Sequence, residues 1–264
     1  MADITSASND RVKLIRALQS QSKSRRKENR VALEGARLIA DATSTGAVPD
    51  FVLFCEPLSE AATALLAQLR NEGVVCMEVT EELMRSMSDT ETPQNIIAVL
   101  PLPHLYAPRT PRLVLLLDGV KDPGNMGTIL RTSVAAGVES VVLLPRCVDP
   151  FNAKALRSGM GAHFRVPLHS LRWEEVSGAY PDLPLYLADS SGNQPYYAVD
   201  WAQPAGVVIG GEARGADRQA HQYVRGVIAI PMQNAAESLN AAMATAVILF
   251  ECQRQRLTQP GSPA

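Results

Sequence analysis

Cysteine is sparse in this chain, and the four present (Cys55, Cys76, Cys147, Cys252) are scattered, with no C-x-x-C pair. A disulfide framework and a zinc site are therefore not expected, and a reducing compartment is the simplest home. Long apolar runs are missing too. No stretch approaches the ~18 residues of a membrane span, and the opening MADITSASND has no apolar signal core. The expectation is a cytoplasmic protein with no membrane partner and no metal. Glycine is plentiful, but neither in the dinucleotide order G-x-G-x-x-G nor in the P-loop order ending G-K-[ST]. Net charge is also nearly absent, at −2.

What is there is ordinary in bulk: 264 residues, 46% hydrophobic and 20% charged, enough for a folded core and one or two domains. The charge is unevenly placed. From Asn9 to Arg37 nine basic residues stand against three acidic ones, a segment charge of +6 that leaves −8 on the remainder. A solvated helix face is the plainer reading of such a run. A polyanion-binding element is the other, with Arg11, Lys23, Arg25, Arg26, Lys27 and Arg30 as candidate RNA contacts. The cluster SKSRRK interrupts the apolar patterning and reads as a basic loop between a helix over 11–19 and a strand over 30–34.

Strand-like and helix-like segments alternate through residue 100, which predicts a small α/β domain over 1–100. The stretch 101–111 holds four prolines and reads as a linker. A second domain is expected over 112–258, followed by a disordered tail over 259–264. Within it, Leu113–Leu117 and Val141–Leu144 are continuous aliphatic runs, the form of strands buried on both faces of a parallel sheet. Strands are also expected at 185–188, 207–209 and 227–230. Helices are expected at 125–136, 152–161 and about 237–256, the last capped by Ser238 or a neighbour.

Three segments follow apolar runs where loops at the carboxyl ends of strands would bind a ligand: DPGNMGTILRT (122–132), VVIGGEARG (207–215) and IPMQNAAESLNAAMATA (230–246). In the first, the Asn125 and Gly127 amides are expected to be open at a helix N-terminus, a ready anion site, with Arg131 one turn past Gly127. Taken singly, each has a plain explanation. Arg131 could be a surface ion pair, Glu212 a helix N-terminal charge, and Ser238 with Asn240 a helix cap.

Together and in order, N-x-G-x-x-x-R-T, G-x-E-x-x-G and I-P-M…S-L-N resemble the three motifs of the SpoU/TrmH family, SPOUT-class RNA 2′-O-ribose methyltransferases. The resemblance covers about residues 112–256, and K-A-L-R-S-G-M-G-A (154–162) is similar to a further family segment. RVALEGARLI (30–39) looks like the L30e-like substrate-binding domain that often precedes this catalytic domain. The resemblance implies an α/β fold with a parallel sheet and a deep trefoil knot, a rare exception to unknotted topology. It also implies a homodimer, and S-adenosylmethionine held by Asp189, Gly210, Gly211, Ile230, Met232 and Leu239. Asn125, Arg131, Glu212, Ser238 and Asn240 would form the catalytic and ribose–phosphate group.

The implied reaction is attack of a ribose 2′-hydroxyl on a sulfonium methyl, which needs orientation and removal of a proton. None of the four histidines lies in the three motifs, so an imidazole base is not expected. A guanidinium seldom gives up its proton, so Arg131 is expected to position a phosphate and polarise the hydroxyl. Ribosomal RNA, 23S in particular, is the expected substrate. Transfer RNA and a non-catalytic RNA-binding or ribosome-assembly role are the alternatives.

Overall fold

A computed structural model describes residues 2–212, 215–233 and 238–258. The tail 259–264, expected to be disordered, lies outside the described residues, as does the predicted start of the closing helix at 237. The chain divides into two units, residues 1–104 with 151–164, and residues 105–150 with 165–264. The segment 151–164, assigned to the second domain from sequence, packs with the first unit.

The first unit contains α1 (Asp10–Ser20), α2 (Ser22–Glu28), β1 (Arg30–Glu34), α3 (Ala36–Thr43), β2 (Phe51–Phe54), α4 (Glu60–Asn71), β3 (Cys76–Glu78), α5 (Glu81–Met87) and β4 (Ile96–Pro101). Its sheet runs β1-β4-β2-β3, antiparallel except for β2 with β3. Strand alternation sends Val31, Leu33, Val52, Phe54 and Ile96 to a core with α3 and α4. Ala32, Leu53, Ile97 and Val99 go to a second core with α1 and α5. The predicted basic loop is instead the helix α2. Its seven residues carry no apolar stripe, and what turns inward is Arg25. Three of its basic residues lie in the last turn, where they complement the carbonyl end of the helix.

The second unit contains β5 (Leu113–Asp118), α6 (Pro123–Ala135) and β6 (Ser140–Leu143), and after the excursion carrying α7 (Ala153–Gly159) in the first unit, β7 (Leu168–Ser170), α8 (Trp173–Ala179), β8 (Leu185–Ala188), β9 (Gln194–Pro195), β10 (Ala205–Gly210), β11 (Gly226–Ala229) and α9 (Ala241–Leu257). Seven strands pair in the order β7-β6-β5-β10-β8-β11-β9, every pairing parallel. β5 and β6 are buried throughout, and β10 as far as Ile209, as their aliphatic composition requires. Because β10 sits between β5 and β8, the carboxyl ends of β5, β8, β10 and β11 meet along one edge. Among the described residues no helix is long and apolar enough to cross a membrane.

All four cysteines are free thiols. Burial in α9 pushes the Cys252 thiol up to about 12, and desolvation raises Cys55, Cys76 and Cys147 as well. Since the thiolate is the nucleophile, native protein at about neutral pH is expected to leave Cys252 unlabelled by iodoacetamide, with labelling only after denaturation. Mass spectrometry of the digested, alkylated chain checks this.

Candidate active site

α6 begins two residues earlier than the sequence suggests. Asp122 is its cap, its carboxylate accepting from the Asn125 amide at 2.8 Å, and Pro123 fills the first turn. The expected anion site is therefore not formed by those backbone groups. The Asn125 N–H is already used, and Gly127 is buried inside the helix, past the first four amides that a helix leaves open. What the early start achieves is to aim the Asn125 side chain outward.

That side chain joins two loops. Its Nδ2 donates to Glu212 Oε1 at 2.6 Å, and its Oδ1 accepts from Asn240 Nδ2 at 3.1 Å. Asn240 is the cap of α9, with its own Oδ1 accepting from the Ala242 amide at 2.9 Å and the Met243 amide at 3.4 Å. The polarity of the row is thus set at both ends. Two helix amides demand an oxygen from Asn240, and a carboxylate demands an N–H from Asn125. Residues 125, 212 and 240, far apart in sequence, form one hydrogen-bonded line at the carboxyl ends of β5 and β10 and the start of α9.

Behind this line lies a cavity of about 240 Å³. Ile209, Ile228, Ile230, Met232 and Leu239 give it apolar walls, and Ala241 and Ala244 are the small residues of α9 that leave room for it. Gly210, Gly211 and Gly215 form one side, with Asp189, Glu212 and Ser238 as polar groups. A second hollow shares Ser190, Ile230 and Met232 with the first. Every cofactor-binding residue expected from sequence, together with Glu212 and Ser238, therefore faces one cavity.

The glycines are required by close approach. A Cβ on Gly210 would collide with the backbone of Ala216 and Gly215, and one on Gly211 with the Gly119 carbonyl. Asp189 follows β8, where its Oδ1 accepts from the Ser191 amide at 2.9 Å and hydroxyl at 2.6 Å. Two carboxylates and no basic side chain among the described lining residues suit a ligand with positive charge and an apolar body. The chemistry of S-adenosylmethionine, a sulfonium with an adenine, fits those carboxylates and apolar walls. Among the described residues, no group of three His, Cys, Asp or Glu side chains could hold a metal ion.

Arg131 does not join the line. It lies on the exposed stripe of α6 and, among the described residues, makes no hydrogen bond or ion pair with Asn125, Glu212 or Asn240. Six residues along a helix is a rise of about 9 Å.

In the first unit the structure corrects one expected RNA contact. Arg25 is 4% exposed, and its guanidinium donates to the Leu18 and Gln19 carbonyls at the end of α1, a structural cap rather than a surface group. Arg30 is tied to Asp50 at 2.6 Å, and Arg11 lies over the Phe51 ring at 5.5 Å. Lys23, Arg26 and Lys27, at helical spacing i, i+3, i+4, share one face of α2.

Comparison with known proteins follows the same division. Residues 112–250 match the model of the SpoU rRNA Methylase family, and residues 9–98 match the MRM3-like substrate binding domain. The chain is 33% identical to the 23S rRNA (guanosine(2553)-2′-O)-methyltransferase RlmP of Bacillus subtilis, over 95% of this chain and 98% of that protein. It is also 33% identical to human mitochondrial rRNA methyltransferase 3, over 88% of this chain and 69% of that one. The crystal structure of an AdoMet-bound rRNA methyltransferase from Sinorhizobium meliloti superposes with a TM-score of 0.83 at 28% identity, covering 95% of this chain and 97% of that one. The SpoU methyltransferase AviRb from Streptomyces viridochromogenes, in complex with AdoMet, gives 0.84 at 27% identity, covering 96% and 100%.

Proposed function

This chain belongs to the SpoU rRNA methylase family, and on that premise we propose that it transfers a methyl group from S-adenosylmethionine to a ribose 2′-hydroxyl of 23S rRNA. The observation that carries the reading is the Glu212–Asn125–Asn240 line at the mouth of a carboxylate-bearing cavity.

When bound, the cofactor supplies a methyl carbon already activated by sulfonium charge. The chain's own residues orient and exclude. Ile209, Ile228, Ile230, Met232 and Leu239 hold the apolar body, and Asp189 provides a charge complement. Glu212, with Oε1 held by Asn125, keeps Oε2 to accept a hydrogen bond from the incoming ribose hydroxyl. Asn125 and Asn240 fix where that oxygen can sit, and Ser238 adds a hydroxyl on the same rim. Arg131, about 9 Å along α6 from Asn125, is set to grip a phosphate beside the target ribose, with phosphate or water taking the proton. Arg131→Lys keeps the charge and loses the planar fork. A rise of about tenfold in KM for RNA is expected in steady-state assays, and unchanged kinetics would remove the fork from the mechanism.

The first unit selects the RNA through Lys23, Arg26 and Lys27, with Arg11 beside Phe51. Replacing the three exposed α2 cations, Lys23, Arg26 and Lys27, by alanine is expected to weaken RNA binding with little change in kcat. It should also flatten the salt dependence of log Kd by about 0.7 for each single-strand phosphate that is no longer neutralised. Filter binding across a salt series measures it.

The reading extends to a trefoil knot in the second domain, an L30e-like first domain and a homodimer. Met243, Val247, Phe250 and Leu257 form an exposed apolar stripe on α9, which a second copy would cover. The reducing cytoplasm is the proposed location, on the strength of four free thiols. The test is tritiated-methyl transfer to unmodified RNA, with 23S rRNA, tRNA and no RNA as parallel arms. Label in the rRNA arm supports the reading, label in tRNA alone reassigns the substrate, and no label in either favours a non-catalytic RNA-binding factor.

A further inference from the structure

Asp118 ends the aliphatic strand β5 and is 1% exposed, the one buried carboxylate among the described residues of the second unit. A carboxylate stripped of water persists only where donors replace that water. Here they come from three segments. Oδ2 accepts from the Asp217 amide at 2.7 Å and from Trp173 Nε1 at 3.3 Å, and Arg146 approaches Oδ1 at 3.5 Å. Arg146 also pairs with Asp217 at 3.0 Å. Trp173 is itself stacked on Tyr223, with centroids 5.3 Å apart.

The backbone of Asp118 does a second job. Its carbonyl accepts from the Gly211 amide at 2.9 Å, continuing the register that pairs Asp118 with Gly210. Asp118 thus holds two points of the chain on either side of Glu212, Gly211 through its carbonyl and Asp217 through its carboxylate. The Gly215 amide donates to the Gly211 carbonyl at 3.0 Å, and Glu212 accepts from Asn125. Asp118 also opens the short loop that leads to Asp122 and Asn125. The spacing between Asn125 and Glu212 therefore runs through it from both sides.

We propose that Asp118 is a positioning residue, holding Gly211 and Asp217 so that Glu212 meets Asn125 in the geometry methyl transfer needs. This rests on the methyltransferase reading above. A buried acid with a purely structural role would also destabilise the fold on removal, so the test separates the two. Asp217 has φ −60°, which suits proline. Asp217→Pro deletes the amide that Asp118 holds, while Asp217→Ala keeps that amide and removes only the side chain. These two variants, Asp118→Ala and the unaltered chain are compared by circular dichroism, kcat and KM on 23S rRNA, and hydrogen exchange at the Gly211 and Gly215 amides.

The expected result is a fall in kcat of about 30-fold in folded Asp217→Pro and Asp118→Ala, within the ~10²-fold that a 1 Å misplacement can cost. KM for RNA should stay within about threefold, exchange at both glycines should be faster, and Asp217→Ala should stay within about threefold throughout. The proposal is overturned if folded Asp217→Pro keeps its turnover, or if Asp217→Ala loses as much as Asp217→Pro. Should Asp118→Ala not fold, Asp217→Pro, altered at a half-exposed position, decides alone. Should the unaltered chain transfer no methyl group, the functional reading fails and the exchange rates decide. Unchanged glycine protection in Asp217→Pro then rejects the positioning role as well.

Discussion

Asn125→Ala is expected to lower kcat for methyl transfer by about 10²-fold or more, the scale seen when one preorganised donor is removed from an active site. Asn125 is the middle member of the line, so its loss acts on both neighbours. Glu212 Oε1 loses the N–H that holds it, and Asn240 Nδ2 loses its acceptor, while the Asn240 cap on α9 remains. The Asn125 backbone amide still meets Asp122, so α6 starts where it did. The residue is half-exposed, and the lost bonds should cost no more than about 1–2 kcal/mol of stability. S-adenosylhomocysteine affinity should move by less than about threefold, because Asn125 does not line the cavity. Calorimetric titration beside initial-rate kinetics separates these effects. A parallel loss of cofactor binding would mean that the side chain supports the cavity rather than the reacting groups.

Gly210→Ala has the opposite signature. The added Cβ runs into the backbone of Ala216 and Gly215, which no side-chain rotation relieves. Neither strand can yield easily, since Gly210 is in register with Asp118 on β5 and the next amide is bonded to the Asp118 carbonyl. Gly210 and Gly215 both line the cavity, so relieving the clash is expected to alter its wall. S-adenosylhomocysteine affinity should fall by about 10²-fold, with about 1–3 kcal/mol of overpacking cost. Gly178→Ala is the matched control. It lies in α8 with nothing near its Cβ direction, and it should be neutral or stabilising by about 0.5–1 kcal/mol with cofactor binding unchanged. Equal affinities in the two variants would contradict the close-approach explanation.

Much of this was legible in the residues themselves. β5, β6 and β10 announce a parallel sheet because strands covered on both faces must be aliphatic throughout. The strands that leave no trace in the sequence, β7 and β9, are three and two residues long with compositions LHS and QP, too short for any period to show. α2 is hidden for a different reason. Its inward-facing residue is an arginine satisfied by carbonyls, which hydrophobic periodicity cannot register.

In the site, Gly210, Glu212, Ile230, Met232, Ser238 and Leu239 line one cavity and Asn125 and Asn240 are joined to Glu212 at its mouth, whereas Arg131 belongs to neither group. α6 starts at Pro123 rather than at residue 125 because proline is at home in a first helical turn beside an Asp cap. Asp118 carried a signal that could have been used. A single acid closing the run LVLLL has to be offset by buried donors, and they are found in segments distant in sequence.

A ribose 2′-O-methyl group removes the hydroxyl that alkali needs to cleave the adjoining phosphodiester, so the position of the transferred group can be read chemically. The direct measurement is incubation of the purified chain with tritiated S-adenosylmethionine and unmodified 23S rRNA, followed by complete alkaline hydrolysis. The label should be recovered in an alkali-stable dinucleotide, and its initial rate of appearance should fall by about 10²-fold with Asn125→Ala. Label recovered in mononucleotides, as a methylated base would give, or an undiminished initial rate with Asn125→Ala, would contradict the mechanism.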